Sequence, residues 1–137
     1  MQELAIAVGV ILKADVPIGE SVTIMGEPSQ LSRMILNLVT NGIYYTPSGG
    51  MIIVTLNYTE YHALIRVQDT GIGIAPEEQT RIFDRFYRVQ SDRSRGTGGA
   101  GLGLSIAAAI AHTHRGNLKV QSQLGQGSLF IIELPLN

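Results

Sequence analysis

The segment Asp69-Thr70-Gly71-Ile72-Gly73-Ile74 places an acid at the end of an apolar run and directly before two glycines. A second glycine-rich segment follows at Gly98-Gly99-Ala100-Gly101-Leu102-Gly103-Leu104-Ser105. Upstream of both, Asn37-Leu38-Val39-Thr40-Asn41 carries two amides one helical turn apart. Either glycine segment alone is weak evidence. Together, and in this order, the three segments predict a nucleotide site assembled from separate parts of one small domain.

The bulk properties set limits on the class of protein. A chain of 137 residues is long enough for one domain with its own core, and its net charge of -1 gives no reason to expect a nucleic-acid partner. The absence of cysteine excludes disulfides and thiolate metal sites. No stretch approaches the roughly 20 apolar residues of a membrane span, and Met1-Gln2-Glu3 lacks the basic region of a signal peptide. We therefore expect a cytoplasmic domain, or a cytoplasmic piece of a larger protein.

A long helix is predicted to begin at Pro28 and Ser29, with Ser29 as its N-cap. Its apolar positions recur at helical spacing, and they are Leu31, Met34, Ile35, Leu38, Val39 and Ile43. Asn37 and Asn41 then share a neighbouring face of the helix. The helix must end before Pro47, where turn residues begin.

The remaining pattern alternates strands with helices. Predicted strands lie within residues 5–13, at 21–25, 51–58 and 63–68, and in a final hairpin of 118–122 with 129–134. A short helix begins at Pro76, with Ile82, Phe83 and Phe86 as its apolar anchors, and a longer helix runs from about Gly101 to His114, where Gly116 is placed to stop it. The pattern predicts an α/β (α+β) fold, a two-layer sandwich. Its mixed, mostly antiparallel sheet of about five strands is covered on one face by about three helices.

Each candidate site residue has a chemical and a purely structural interpretation. Asp69 can accept a hydrogen bond from the exocyclic amine of adenine, or it can simply open a glycine turn. Asn37 and Asn41 can hold Mg²⁺ and phosphate, since hard cations take oxygen ligands, or they can be polar residues on a solvated helix face. Gly99, Gly101 and Gly103 precede a helix, whose free N–H groups and dipole favour phosphate.

Other nucleotide and metal motifs do not fit. A dinucleotide fingerprint needs a strand directly before the glycines and an acid about 20 residues later, and neither is present. No Gly-Lys-Ser/Thr sequence marks a phosphate loop. His112 and His114 are two apart on a predicted helix, so they face different directions and make a poor metal site. An arginine cluster consists of Arg81, Arg85, Arg88, Arg93 and Arg95. It is interpreted either as a solvated basic loop or as a phosphate-binding group.

Four motifs, in this order, resemble the ATP-binding catalytic domain of sensor histidine kinases, a branch of the ATPase superfamily that includes gyrase and mismatch-repair proteins. The resemblance extends from Ala5 to Pro135. The motifs are the asparagine box at 37–46, the first glycine box at 69–74, the phenylalanine box at 83–86 and the second glycine box at 99–105. The phenylalanine box distinguishes the kinases from the other branches.

The resemblance implies a role for each matching residue. Asn37 would bind Mg²⁺ and act in catalysis, Asn41 would contact metal or phosphate, and Tyr45 would lie against adenine. Asp69 would accept from the adenine amine, while Ser128 resembles a hydroxyl that supports this acid through water. The other implied nucleotide-binding residues are Gly71, Gly73, Ile74, Arg85, Arg88, Gly99, Gly101, Leu102, Gly103 and Leu104. Arg85 would also be catalytic, at the terminal phosphate, and residues 87–98 would form a mobile lid.

Two departures from the family pattern bear on activity. Tyr44 stands where the family usually has a phosphate-contacting lysine, so we expect weaker nucleotide binding or compensation by Arg85 and Arg88. Nothing resembling the phosphoacceptor hairpin precedes Ala5. We therefore expect residues 1–137 to be a single catalytic domain that cannot autophosphorylate alone, and to be monomeric.

The implied function is in two-component signal transduction. The domain would bind Mg-ATP and donate the γ-phosphate to a histidine on a separate phosphoacceptor hairpin, with a response regulator downstream. Two alternatives remain: a nucleotide-dependent interaction module without kinase activity, and a serine kinase of the anti-sigma type. No nucleic acid or direct membrane insertion is expected, although the parent protein could be membrane-anchored.

Overall fold

The computed structural model describes residues 11–15, 26–84 and 103–136. The strands are β1 (Ile11–Asp15), β2 (Met51–Tyr58), β3 (His62–Asp69), β4 (Asn117–Gln123) and β5 (Gly127–Pro135). The helices are α1 (Pro28–Tyr45), α2 (Pro76–Gln79) and α3 (Gly103–Thr113). The predicted strand at 21–25 lies outside the described residues.

The strands form one five-stranded sheet in the order β1-β2-β3-β5-β4. The β1–β2 pair is parallel and the other three pairs are antiparallel. In the central pair, Val67 lies opposite Phe130 and Asp69 lies opposite Ser128. This architecture confirms the predicted fold class, a mixed and mostly antiparallel sheet in a two-layer sandwich.

The core lies between one face of the sheet and the helices α1 and α3. Alternate residues of β3 and β5 are buried, as the period of two in a strand requires. Helix α1 contributes its predicted apolar face, and α3 packs against it. The main core residues are Met34, Leu38, Val39, Ile43, Ile52, Ile65, Val67, Ala107, Ile110, Ala111, Phe130, Ile132 and Leu134. Within the described ranges, no helix is both long and apolar enough to cross a bilayer.

The N-cap of helix α1 lies two residues before the predicted one. Its N-cap is Glu27, whose carboxylate accepts from the backbone N–H groups of Ser29 (3.3 Å) and Gln30 (2.9 Å). The prediction of Ser29 as the N-cap was wrong, because Pro28 has no N–H and the longer glutamate side chain reaches past it. The Ser29 hydroxyl also donates to this carboxylate. Its hydrogen bond contributes most to lowering the pKa of Glu27, and the two backbone hydrogen bonds lower it further.

Helix α3 ends in a Schellman motif that contacts the start of α1. Arg115 has a left-handed φ of 64°, while Gly116 donates to the Ala111 carbonyl and Arg115 to that of His112. Gly116 thus follows the left-handed residue, and a Cβ on it would overlap the carbonyl oxygen of Glu133. Next to this motif, His114 Nε2 accepts from the Glu27 N–H across 3.1 Å. The two helices that flank the site are therefore joined at the end far from Asp69.

Candidate nucleotide-binding site

The end of α1, the first glycine segment and Ser128, which the structure describes, meet at one end of the sheet, where β3 ends and β5 begins. The Ile72 N–H donates to the Tyr45 carbonyl (3.3 Å), which ties the first glycine segment to the end of α1. The Gly125 N–H donates to the Ile72 carbonyl (2.9 Å), which ties the same segment to the β4–β5 turn. The structure therefore brings the asparagine helix and the first glycine segment together, as the sequence predicted.

Asp69 is the buried acid of this site. Only 5% of its surface is exposed. Its Oδ1 accepts from the N–H groups of Gly71 (2.8 Å) and Ser128 (3.1 Å). Burial raises the pKa of Asp69, and the two backbone hydrogen bonds partly oppose that rise. Among the described residues, no hydrogen bond reaches its second oxygen, Oδ2.

The glycines after Asp69 are required by close contacts. A Cβ on Gly71 would lie 2.5 Å from the Tyr45 carbonyl oxygen. Gly73 has a φ of +76°, and a Cβ there would overlap the carbonyl oxygen of Gln123. The Asp69–Gly71 hydrogen bond is also the turn contact of the purely structural interpretation. Asp69 therefore opens the turn and still keeps one carboxylate oxygen for another partner.

Asn37 and Asn41 lie half-buried in the second half of α1, about 6 Å apart along its axis. Gly42, directly after Asn41, is close to the acid, since a Cβ on Gly42 would be 3.8 Å from the Cβ of Asp69. Amide oxygens are suitable ligands for Mg²⁺, which usually keeps water and substrate phosphates in its shell. This neutral donor set fits a metal that arrives with a triphosphate.

Tyr44 and Tyr45 end the helix with an aromatic pair. Their ring centroids are 5.0 Å apart and the ring planes are nearly perpendicular, at 87°. Both side chains are half-buried. The position that usually carries a lysine in the resembled family is thus occupied by a ring that packs edge-on against Tyr45. It brings no positive charge to the site.

Two residues that the sequence reasoning missed support this end of the sheet. Ser122 Oγ accepts from the Ile74 N–H (2.8 Å), and it lies 2.8 Å from Ser128 Oγ. Gln79 Nε2 donates to the carbonyls of Ile74 (2.8 Å) and Ser122 (2.9 Å). Neither residue has a sequence signal, because each meets its partner only after β4 and α2 pack beside the glycine segment.

Comparison with known proteins gives the family. The profile described as "Histidine kinase-, DNA gyrase B-, and HSP90-like ATPase" matches residues 26–137, which is most of the chain. The chain belongs to this ATPase family. The sensor histidine kinase RppB of Synechocystis sp. is 56% identical over 134 residues, which are 98% of this chain and 29% of RppB. The chain therefore spans less than a third of that curated relative.

Solved histidine kinases share the fold. The mycobacterial sensor histidine kinase MprB superposes with a TM-score of 0.85 at 30% identity, over 99% of this chain and 90% of that one. Full-length ShkA in complex with AMPPNP gives a TM-score of 0.84 at 31% identity, over 99% of this chain and 27% of ShkA. The resemblance to histidine kinase catalytic domains is confirmed.

Part of the ATPase-family motif set lies outside the described residues. This part holds Arg85, Arg88, Gly99, Gly101, Leu102 and the expected lid at 87–98. Of the second glycine segment, Gly103 opens α3 and Leu104 is half-buried against the core. From the phenylalanine box, Phe83 packs edge-on against Phe130, with ring centroids 6.4 Å apart. The phosphate contacts predicted for the arginines and these glycines stay predictions.

Within the same candidate site, Ser128 also contacts Asp69 through its backbone. Its N–H donates to Asp69 Oδ1 (3.1 Å), and its hydroxyl lies 2.8 Å from Ser122 Oγ. The register of β3 with β5 explains this backbone contact, because it places Ser128 opposite Asp69. The support through water that the resemblance implies for this hydroxyl stays a prediction.

Proposed function

We propose that this domain binds Mg-ATP through the site at Asp69 and donates the γ-phosphate to a histidine on a separate phosphoacceptor hairpin. The proposal rests on one observation above all. Asp69 is a buried carboxylate whose Oδ1 holds two backbone N–H groups, while no described residue donates to Oδ2. A carboxylate oxygen accepts strongly from a ligand N–H, because a hydrogen bond to an ionised acceptor is stronger than one between neutral groups. The exocyclic amine of adenine is such a donor.

The neighbouring residues fit the remaining parts of the nucleotide. Gly71, Gly73 and Ile74 would line the base pocket, with Tyr45 against the ring. Asn37 and Asn41 would hold the metal with the phosphates, and when bound Mg²⁺ would neutralise charge on the transferring phosphoryl group. Gly103 and Leu104 would lie on the phosphate side, at the start of α3.

The chain's own contribution to phosphoryl transfer would be positioning and charge neutralisation. Arg85 would reach the terminal phosphate, and Arg88 would supply part of the charge that Tyr44 does not. The general base would lie next to the acceptor histidine and outside residues 1–137. We therefore propose that this chain alone binds nucleotide but completes no autophosphorylation.

Labelled nucleotide tests the proposal. The chain is incubated with Mg²⁺ and ATP labelled at the γ-phosphate, with and without the phosphoacceptor hairpin of its parent kinase. We expect acid-labile label on the hairpin and none on the chain alone. Acid-stable label would instead indicate a serine kinase, and it would overturn the histidine assignment.

A second candidate function follows from Tyr44. Because an uncharged ring replaces a phosphate-contacting lysine, the domain could bind nucleotide only to control its shape, as an interaction module without kinase activity. In the same experiment such a module leaves the hairpin unlabelled, although calorimetric titration still detects ATP binding. In either case we place the domain in the cytoplasm, as part of a two-component system with a response regulator downstream.

A further inference from the structure

The hydroxyl of Ser122 lies at the centre of a hydrogen-bond network beside Asp69. Its Oγ is 2.8 Å from the Ile74 nitrogen, 2.9 Å from the Gly127 carbonyl oxygen and 2.8 Å from Ser128 Oγ. It is partly buried at the end of β4. The network joins the first glycine segment to the β4–β5 hairpin.

The chemistry of the partners fixes the direction of each hydrogen bond. A hydroxyl has one hydrogen and two acceptor lone pairs. The Ile74 N–H can only donate, so Ser122 Oγ accepts from it. The Gly127 carbonyl can only accept, so it takes the single Ser122 hydrogen. Ser128 must therefore donate its own hydrogen to Ser122.

This arrangement controls the surroundings of the Asp69 carboxylate. The Ser128 hydrogen points to Ser122, so that hydroxyl cannot donate to Asp69, which lies opposite it in the sheet. Of the residues that the structure describes, only the backbone N–H groups of Gly71 and Ser128 donate to Asp69 Oδ1, and none donates to Oδ2. On the other side, Ser122 and Gln79 hold the N–H and carbonyl of Ile74, which is 8% exposed.

We infer that Ser122 is a positioning residue for base recognition, one that keeps Asp69 Oδ2 free for an exocyclic amine by engaging the Ser128 hydroxyl. The inference deepens the proposed function and rests on it. When the Ser122 hydroxyl is removed, the Ser128 hydroxyl is released and can donate to the Asp69 carboxylate, which lies opposite Ser128 in the sheet. The Ile74 N–H also loses its partner. Both changes weaken the contact with the amine and leave the rest of the nucleotide site in place.

The test compares two nucleotides on the full 137-residue chain. Calorimetric titration measures the affinity for ATP and for purine riboside triphosphate, which lacks only the 6-amino group. In the wild type we expect ATP to bind roughly tenfold more tightly, as for a hydrogen bond to a buried charged group. In Ser122→Ala we expect this ratio to fall below about threefold, because the Asp69 carboxylate then accepts from the Ser128 hydroxyl and binds the amine less well. The affinity for the analogue should change by less than about twofold.

Variants separate positioning from general stability. Ser122→Thr keeps the hydroxyl and should restore the wild-type ratio. Thr113→Ala removes a hydroxyl that donates to the Ala109 carbonyl at the far end of α3, and it should leave the ratio unchanged. If Ser122→Ala does not fold, Ser122→Cys replaces it, since a thiol is a weak hydrogen-bond partner.

Each outcome of these titrations either supports or overturns the role inferred for Ser122. A wild-type ratio of one overturns the proposed adenine contact and the inference with it. A wild-type preference that survives in Ser122→Ala, or in Ser122→Cys where the alanine variant does not fold, overturns only the inference. Equal loss of affinity for both nucleotides would show a merely structural role for Ser122, which also overturns it. Selective loss in Ser122→Ala with rescue by Ser122→Thr supports it.

Discussion

The backbone N–H of Ser128 donates to Asp69 Oδ1 across 3.1 Å and so joins two residues that are 59 positions apart in the sequence. The same oxygen accepts from Gly71, two residues after the acid. A local turn and a distant strand thus hold one carboxylate in place before any ligand arrives. Such preorganisation lowers the entropy that binding must lose.

The first prediction concerns Asp69→Asn. The amide oxygen can still accept both backbone N–H groups at the place of Oδ1, but the amide nitrogen then stands in the place of Oδ2 and, as a donor, cannot accept from the adenine amine. We expect ATP affinity to fall by about 1–3 kcal/mol, measured by calorimetric titration. At neutral pH the free energy of unfolding should not decrease, because the variant buries no charge. Glu60→Gln, at an exposed glutamate between β2 and β3, is the control. Unchanged affinity in Asp69→Asn would contradict the assigned role.

The second prediction is a pH dependence with a defined sign. Burial raises the pKa of Asp69 above its ordinary value of 3.8. Folding therefore favours the protonated form of Asp69. Its contribution to the free energy of unfolding is complete below pH 3.8 and is lost as the pH rises through the raised pKa of the folded state. We expect the wild type to gain stability relative to Asp69→Asn as pH is lowered from neutral towards 4. Urea denaturation over a pH series measures this difference, and a pH-independent difference would exclude a raised pKa.

A third prediction separates backbone strain from close contact in the glycine segment. Gly73 and Gly125 have similar left-handed φ values of +76° and +80°, but only at Gly73 would a Cβ meet other atoms within 4 Å. Gly125→Ala should cost about 1–2 kcal/mol from the left-handed conformation alone. Gly73→Ala should cost more, because the Gln123 carbonyl must move. If urea denaturation gave equal losses in the free energy of unfolding for the two variants, the contact between a Cβ at Gly73 and the Gln123 carbonyl would have no energetic effect.

Much of the fold could be predicted from local patterns. The apolar face of α1 and the alternation in β3 and β5 follow from periodicity, and the core of the structure is built from those residues. The helix cap was missed because Glu27 is a poorer cap by type than Ser29, and only the actual path of the chain shows which side chain reaches the free N–H groups. The residue at which a helix begins thus depends on the positions of a few side-chain atoms, which periodicity does not give.

The site was predictable only where residues act through their own segment. Asp69 with its glycines forms a local motif, so the sequence identified it. Ser122 and Gln79 act on a segment that folding brings next to them, and Ser122 meets Ile74 across 48 positions. A single sequence holds no pattern that pairs them. The same limit explains why the hydrogen bond from the Ser128 backbone to Asp69 was not predicted.

The fourth prediction concerns Arg85, whose role comes from the family resemblance and which lies outside the described residues. Arg85→Ala should leave ATP affinity near the wild-type value but abolish phosphorylation of an added hairpin domain, because its charge would act on the terminal phosphate in the transition state. Arg33→Ala, at an exposed position of α1, serves as the control. Phosphotransfer at the wild-type rate in Arg85→Ala would exclude a contact with the γ-phosphate.

The central claim is that ATP binds at the end of the sheet where Asp69 lies, and NMR titration of the labelled chain with Mg-ATP tests it most directly. The amide resonances of Gly71 and Ser128, which both donate to Asp69 Oδ1, should be among those that shift most. The Glu27 amide, which donates to His114 at the opposite end, should stay in place. Saturable shifts at Glu27 with none at Gly71 and Ser128, or no shifts at all, would contradict the account.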